Sequence, residues 1–510
     1  MDSSPIVRCG TESRTHAEVK ARAARLAGGL AAMGLSHGDR FSIVMRNGIG
    51  FIEGMLAGAI LGATPVPVNW HWTGGDLEYL LADSGSQIAV VHTDLLPAVE
   101  AVLPTGSSII EAPVPHDTAR AFGFDAPMLT GRYPDMEELI VGNTAATSSL
   151  EAPPMGIIYT SGTTGRPKGI LRDTVSPDNR RRLGEIVLRG LALEPSMPSL
   201  IPAPLYHTAP NLHAVFALEL GVDLEIMPRF DAEAMLQLIE RRRIAHMQVV
   251  PTMLVRLLKL PSETRNRYDV SSLKAIFHAA APCPKPVKRA AIEWFGPIVH
   301  EYYGGSEVGA AVSCTSEEWL AHPGTVGHPI DDAVIKILDI DGTEMPTGED
   351  GDIYIKSYSV WPDFTYLGDD TKRRHMERDG FLTVGDIGHL DGDGYLYLSD
   401  RRSDMVISGG VNIYPAEIEA CVLEIDGVND VAVFGIPDPE YGESLAAHIE
   451  LAPNASVDVE NIRSHIASNL ARYKVPKVIV FDNSLPRHES GKLFKRILKQ
   501  EYWTTVQSDS

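Results

Sequence analysis

The chain has 510 residues, too many for one compact core, so two or three domains are expected. Its 45 Lys+Arg against 67 Asp+Glu give a formal net charge of −22, a field that repels polyanions and argues against a nucleic-acid partner. With 44% hydrophobic and 22% charged residues, the composition is that of a folded soluble protein and not of a disordered one.

Residues 1–10 carry no basic leader and no apolar core, and the most apolar stretch, 54–68, is broken by Gly62, Thr64 and Pro65. Neither a secretion signal nor a membrane span is expected. From 16 to about 34 apolar residues recur at helical spacing, and 41–45 reads as a strand. A helix at 51–61, a strand at 64–68, a helix at 76–83 and a strand at 88–91 continue the alternation. Such alternation predicts parallel-rich sheets covered by helices, an α/β fold. Four later strand-like runs end in small or polar residues: 156–159 before Thr160, 247–250 before Pro251, 275–277 before His278, and 298–299 shortly before Glu301. Ligands gather at the carboxyl ends of strands in open α/β sheets, so these loops are the expected site. After Asp400 comes a compact unit with a helix at 415–425, strands at 431–434 and 445–451, a helix at 457–470 and a strand at 478–481. Ile418, Val422 and Ile425 share one helical face, as do Ile462, Ile466 and Leu470, which suffices for a small α+β domain.

Four cysteines, Cys9, Cys283, Cys314 and Cys421, form no CxxC pair and fit reduced structural thiols in a cytoplasmic protein. The strongest motif is Tyr159-Thr-Ser-Gly-Thr-Thr-Gly-Arg-Pro-Lys-Gly169. Its glycines let the backbone approach a ligand, its hydroxyls and amides donate, and Lys168 adds charge, which together suit a polyphosphate. No Gly-Lys-Ser/Thr closes it, so it is not a Walker A loop. A flexible surface turn is the competing reading for it. A carboxylate at Glu307 can hold Mg²⁺ beside phosphates or merely cap a helix. Asp386 can accept hydrogen bonds from ribose hydroxyls, with Arg401 contacting ribose or phosphate. Asp391, Asp393 and Asp400 are expected in solvated turns.

Together the phosphate-loop run, Pro204-Leu-Tyr-His-Thr208, Tyr303-Gly-Gly-Ser-Glu307, Thr383-Val-Gly-Asp386, Asp400-Arg-Arg-Ser-Asp404, Ser408-Gly-Gly-Val-Asn-Ile-Tyr-Pro415 and Ser490-Gly-Lys492 resemble, in order, the motifs of the adenylate-forming superfamily. That superfamily includes acyl-CoA synthetases, aryl-CoA ligases, luciferases and peptide-synthetase adenylation domains. The resemblance implies a large AMP-binding region, residues 1–402, and a small mobile domain, 403–510, with Ser403 at the hinge. ATP binding falls by resemblance to Thr160, Ser161, Gly162, Thr163, Thr164, Gly165 and Lys168, to Ala280, Ala281 and Pro282, to Tyr303 (stacked on adenine), Gly304, Gly305 and Ser306, and to Asp386, Arg401 and Lys492. Lys492, His207, Thr163 and Glu307 are the implied catalytic residues. Lys492 bridges the substrate carboxylate and the α-phosphate, and Glu307 holds Mg²⁺. Gly409, Gly410 and Val411 line the coenzyme A channel. Ser403 departs from the family, whose hinge position usually carries Asp or Lys.

His207, Gly304, Gly305 and Ala279 are the implied acyl pocket. Family members that accept acetate carry tryptophan where this chain has Gly304, so a bulky acid (aromatic, alicyclic or steroid-like) or a fatty acid is expected, and a tryptophan placed there is expected to narrow the pocket. Asp400-Arg-Arg-Ser-Asp404 and Glu318-Trp-Leu-Ala-His-Pro-Gly324 resemble bile-acid and aryl or alicyclic acyl-CoA ligases. The expected enzyme is an ATP-dependent acid–thiol ligase with a carboxylic acid, ATP, Mg²⁺ and coenzyme A as its small-molecule partners, and a homodimer is compatible with it. A stand-alone amide synthetase using an amine acceptor is the runner-up. A non-catalytic nucleotide-binding protein is the third reading, opposed by the presence of Lys168, Glu307, Asp386, Arg401 and Lys492. The arginine runs 180–182 and 241–243 read as solvated helix faces.

Overall fold

In a computed structural model, which describes residues 4–148, 152–160, 167–195, 197–409, 411–453, 455–487 and 493–508, the early helix–strand alternation folds as expected. The strands Thr64–Pro67, Arg40–Val44, Ile88–His92 and Ser108–Ala112 form a parallel sheet in that order. His16–Ala32 and Ile49–Leu61 pack together beside it and bury Leu26, Leu30, Ile49 and Ile52 in a core shared with Phe41 and Ile43. Thr15 starts the first helix with a reciprocal cap: its hydroxyl accepts from the Glu18 N–H while the Glu18 carboxylate accepts from its own N–H.

A second, larger sheet is parallel over Ile6–Cys9, Leu224–Ile226, Ser199–Ile201, His246–Val249, Ala275–His278 and Val299–Gly305. It then turns antiparallel through Gly309–Cys314, Thr325–Pro329, Leu396–Arg401, Phe381–Leu390, Gly351–Lys356 and Val334–Leu338. The two sheets are tied by Asn47. Its side-chain amide donates to Ala203 O and Met227 O, each at 3.0 Å, and its carbonyl accepts from Leu205 N at 2.8 Å. A buried amide with all three bonds made fixes the loop that leads to His207.

The C-terminal unit is the expected small α+β domain. Gly442–Leu451 pairs antiparallel with Val428–Asp438 and parallel with Val478–Asp482. Helices Pro415–Val422 and Val459–Asn469 bury Ile418, Val422, Ile462 and Ile466 against Val431, Val433 and Ala447. Lys495–Ser508 covers the other face, where Leu498 and Tyr502 meet Phe434 and Ala446. Among the described residues no helix is long and apolar enough to cross a membrane, and the four cysteines are unpaired thiols.

Burial also sets protonation where the helix Thr208–Leu220, which carries His213, packs on the large sheet, which carries His246. His213 is held down to about 4 and His246 well below its usual value, both by loss of water around the charged ring. A histidine whose folded value lies below its unfolded one binds more protons when unfolded. Its stabilising contribution is therefore complete above about pH 6.5 and is lost as pH falls from there toward about 4. The midpoint of thermal unfolding should fall across that window. His213→Gln should flatten the decline, which circular dichroism melts at stepped pH will read.

Candidate active site

Because the strands of the large sheet run parallel up to Val299–Gly305, their carboxyl ends share one edge. The loops leaving that edge carry His207, then Ala279-Ala280-Ala281-Pro282, then Ser306 and Glu307 after Gly305. Ala280 sits at φ +74°, a left-handed conformation that costs a non-glycine residue roughly 1–2 kcal/mol. Strain of that kind persists where the surroundings fix the chain, and it turns the loop back over the sheet edge.

The phosphate-loop motif is a hairpin. Ile158–Thr160 pairs antiparallel with Lys168–Arg172, Thr160 lying opposite Lys168, and Phe364–Tyr366 adds a third strand. Ser161, Gly162, Thr163, Thr164 and Gly165 lie outside the described residues. Lys168 is ion-paired to Asp369, a residue that also caps the helix Asp370–His375.

Glu307 stands in the turn between Val299–Gly305 and Gly309–Cys314, so it is not a helix cap. Side chains from both sides hold this turn. Tyr366 Oη donates to Glu307 Oε1 at 2.9 Å, Trp361 Nε1 donates to Glu307 O at 3.2 Å, and Arg172 donates to Ser306 O. Ser306 and Thr208 hydroxyls meet at 2.7 Å, which joins the turn to the helix Thr208–Leu220 behind His207. Arg172 is buried, and burial brings it down to about 10 against the opposing pull of Glu307, so it stays cationic at neutral pH. Arg172, Trp361, Tyr366 and Asp369 were not anticipated from the sequence. Three of them sit on or beside the short strand Phe364–Tyr366, whose pairing with the hairpin is non-local.

On the antiparallel side Tyr303 and Asp386 meet. Tyr303 Oη donates to Asp386 Oδ2 at 2.8 Å, and Arg401 Nε lies 3.1 Å from Asp386 Oδ1. Asp386 and Arg401 are register partners on Phe381–Leu390 and Leu396–Arg401. Tyr303 packs in the core with Val308 and Val312, and burial beside Asp386 raises its hydroxyl far above the usual range, so it acts here only as a neutral donor. Asp386 keeps a lone pair on each oxygen for further donors. Asp400 is not in a solvated turn. It lies within the strand Leu396–Arg401, one residue from its end, accepts from Ala416 N at 3.0 Å, and burial raises its carboxyl, with Lys495 opposing.

Among the described residues no group of three or more His, Cys, Asp or Glu side chains could hold a metal ion. A single carboxylate at the phosphate hairpin is nonetheless what Mg²⁺ arriving on a nucleotide needs, since it keeps several waters and takes its remaining ligands from phosphate oxygens. Glu307, with one oxygen on Tyr366 and the other uncommitted to that bond, fits that role.

His207 caps the helix Thr208–Leu220 in extended conformation, its ring 4.5 Å from that of Tyr206. Ala279 is buried, Ala281 half-buried, and Ala280 and Pro282 exposed. Gly304 departs from expectation. A Cβ added there would lie 1.8 Å from Gly309 O, at the point where the pairing of the two strands shifts register. A tryptophan at 304 would therefore break the turn that presents Glu307 and not simply narrow a pocket. Gly305 is looser, its nearest neighbour being Glu307 Oε2 at 3.2 Å.

Ser403 is exposed, between an anchored segment and the small domain. Arg402 donates to Gly385 O only as far as its main chain reaches that strand, at 2.8 Å through its N–H, and its guanidinium grips Asp352 through Nε at 2.6 Å and Nη2 at 2.5 Å. Val406–Ser408 already belongs to the small sheet. Gly409, at φ +56°, and Val411 lie on the hairpin that strand makes with Val411–Ile413, while Gly410 and Lys492 lie outside the described residues. Arg180 with Glu219, Arg182 with Asp331 and Arg243 with Asp269 form surface ion pairs, whereas Arg242 reaches the buried Glu225.

Fold and site together define an adenylate-forming enzyme. Residues 3–363 match the AMP-binding enzyme family and residues 417–492 the AMP-binding enzyme C-terminal domain, and the chain belongs to that family. It is 30% identical to a long-chain-fatty-acid–CoA ligase of Mycobacterium tuberculosis, over 96% of this chain and 94% of the relative. It is 31% identical to a feruloyl-CoA synthase of an Amycolatopsis species, over 97% and 95%. ATP-bound MatB from Rhodopseudomonas palustris has the same fold, with a TM-score of 0.84 and 26% identity over 98% of this chain and 96% of that one. The enzyme is an AMP-forming ligase of the acyl-CoA synthetase type, a class that uses ATP, Mg²⁺ and coenzyme A.

Proposed function

We propose that this protein converts a bulky carboxylic acid into its coenzyme A thioester in two steps, in the cytoplasm. In the first, a carboxylate oxygen bonds to the α-phosphorus of ATP and the bond to pyrophosphate breaks. In the second, the thiol of coenzyme A, losing its proton, adds to the acyl carbon and AMP departs. The observation that carries this reading is the meeting of Glu307, Tyr366 and the Lys168–Arg172 hairpin on one side of a turn, with Tyr303, Asp386 and Arg401 on the other.

Each residue has a task set by its surroundings. Asp386 accepts from the ribose hydroxyls while Arg401, 3.1 Å from its Oδ1, orients it. Backbone amides and hydroxyls from Thr160 to Gly165, with Lys168, bind the departing phosphates. Tyr366 orients Glu307 beside the phosphate hairpin, where it would hold Mg²⁺, which when bound would neutralise charge on the departing pyrophosphate. Tyr303 and the loop 280–282 enclose the adenine. His207 separates the nucleotide from the acyl group. Lys492, from the small domain, lies between the two reacting anions.

Residues 403–510 then turn about Ser403 to bring Gly409, Gly410 and Val411 to the thiol channel. The Arg402 grip on Asp352 anchors the segment just before Ser403 to the large region. No hydrogen bond from the Ser403 N–H is among those described, so Ser403→Pro removes none and only fixes φ near −65°. It should slow thioester formation at least tenfold more than acyl-AMP formation, as single-turnover assays of the two half-reactions will show.

Exchange of labelled pyrophosphate into ATP across a panel of carboxylic acids tests the proposal. Ring-bearing acids should support exchange and acetate should not, and adding coenzyme A should convert the bound acyl-AMP to thioester. Exchange only with acetate, or none with any acid, would reject it.

A further inference from the structure

Beside the loop 279–284 lies a buried ion pair to which the two reaction steps assign no task. Lys288 stands in the first turn of the helix Lys285–Phe295, is fully buried, and donates through Nζ to Glu301 Oε2 at 2.5 Å. Glu301 is buried as well, on the strand Val299–Gly305, two residues before Tyr303. Side chains alternate along a strand, so Glu301 and Tyr303 share a face with Val299, which packs in one core with Ala291 and Ile292 of that helix.

His278, the last residue of the strand Ala275–His278, is the register partner of Glu301. It is fully buried, neither of its ring nitrogens has a hydrogen-bond partner among the described residues, and its Nε2 stands 3.5 Å from the same Glu301 oxygen. The loop 279–284 leaves from His278 and enters the helix of Lys288, so both of its ends converge on Glu301. Ala280 sits between them in its left-handed conformation, one that persists where the surroundings hold the chain.

Stability alone does not account for such a pair. Stripping two charges of water offsets much of their attraction, and apolar side chains of similar volume in the same place are often as stable or more so. The core around this helix and strand is otherwise apolar, with the Trp319 ring centroid 5.3 Å from the ammonium. A cation in a first turn also opposes the helix dipole. What a charged hydrogen bond supplies and an apolar contact does not is a fixed length and direction.

We propose that Lys288 and Glu301 are positioning residues for the nucleotide: by tying the loop 279–284 to the strand of Tyr303, their buried ion pair holds the slot between that loop and the Tyr303 ring to the width of the adenine. This rests on the nucleotide placement proposed above, in which Tyr303 and residues 280–282 enclose the base. Both side chains are buried, so they act through the loop and not on the base itself. Loss of the pair loosens the stack on the base and leaves the acid, the phosphate hairpin and Lys492 untouched.

The test is pyrophosphate exchange by the double variant Lys288→Met/Glu301→Leu, which puts apolar side chains of similar volume in place of the pair, with a melting curve alongside. The double variant should melt within a few degrees of wild type, and above Lys288→Met alone, which leaves a buried carboxylate unpaired. Its KM for ATP should rise about tenfold, the order of one weakened base–aromatic stack, with kcat and the KM of the acid within about twofold of wild type. The ratio of kcat/KM with ATP to kcat/KM with CTP should fall about tenfold, because a looser slot no longer favours the larger base. An unchanged KM and ratio in the folded double variant overturn the proposal, as does a loss shared equally by ATP and CTP. A double variant that does not fold overturns it too, for the pair would then be holding the fold. Failure of the positioning role leaves wild-type exchange intact, whereas no exchange by the wild-type enzyme with any acid sinks the activation reading and this one with it.

Discussion

Lys492→Ala is expected to lower acyl-AMP formation by about 10²–10³ while leaving thioester formation from preformed acyl-AMP close to the wild-type rate. The first step brings a carboxylate against the α-phosphate of ATP, and repulsion between them grows toward the transition state. A fixed cation between the two anions offsets that repulsion most where it is largest, so its loss falls on the rate and not on binding. In the proposed second step the attacking thiol and the departing AMP meet at the acyl carbon, and the proposed turn of the small domain would withdraw Lys492. Rapid-quench measurement of each half-reaction, with a melting curve to confirm the fold, separates the outcomes. Equal losses in both steps would show that one orientation serves both, and no loss in either would make Lys492 a solvated surface charge.

Glu307→Gln should be nearly as severe, by a different route. Glutamine retains an oxygen to accept from Tyr366 Oη and fills the same space, so the turn should hold and the unfolding free energy should stay within about 0.5 kcal/mol of wild type. What disappears is a negative charge beside the phosphate hairpin. Adenylation should fall about 10²-fold at millimolar Mg²⁺, and the Mg²⁺ concentration giving half-maximal rate should rise. Tyr366→Phe is the companion variant, since it keeps the charge and releases its orientation, and a smaller loss is expected there. If Glu307→Gln leaves both the rate and the Mg²⁺ response unchanged, the carboxylate only holds the turn.

Much of this architecture is legible in the sequence because its signals are local. Arg40–Val44, Ile88–His92 and Ala275–His278 are short apolar runs spaced by helices, and that period alone implies parallel pairing with loops at one edge. The antiparallel half, from Gly309–Cys314 to Gly351–Lys356, is harder to see. Its strands pair across long separations, as Thr325–Pro329 does with Leu396–Arg401, and are set by partners rather than by their own pattern. The same holds within the site. His207, Glu307 and Asp386 stand in recognisable motifs, whereas Tyr366 and Arg172 become functional neighbours only through three-stranded pairing. At Gly304 the sequence suggests spare room, but it is the approach of Gly309 O that excludes a side chain. Composition cannot express that backbone contact.

The position of Asp386 has a thermodynamic consequence. Its register partner is Arg401, and its neighbour Gly385 accepts the N–H of Arg402, the residue before Ser403. The proposed ribose ligand and the proposed pivot are thus joined through two adjacent rungs of one β-ladder. Any difference in the affinity of ATP and AMP for the two domain orientations, to the extent that it passes through Arg401, must reappear as an equal bias of the small domain toward the orientation that binds the nucleotide more tightly, because linkage is reciprocal. With an uncharged Ser403, the hinge side chain contributes no ion pair of its own to that balance, which leaves the occupant of the ribose site as the timing signal for the turn between half-reactions.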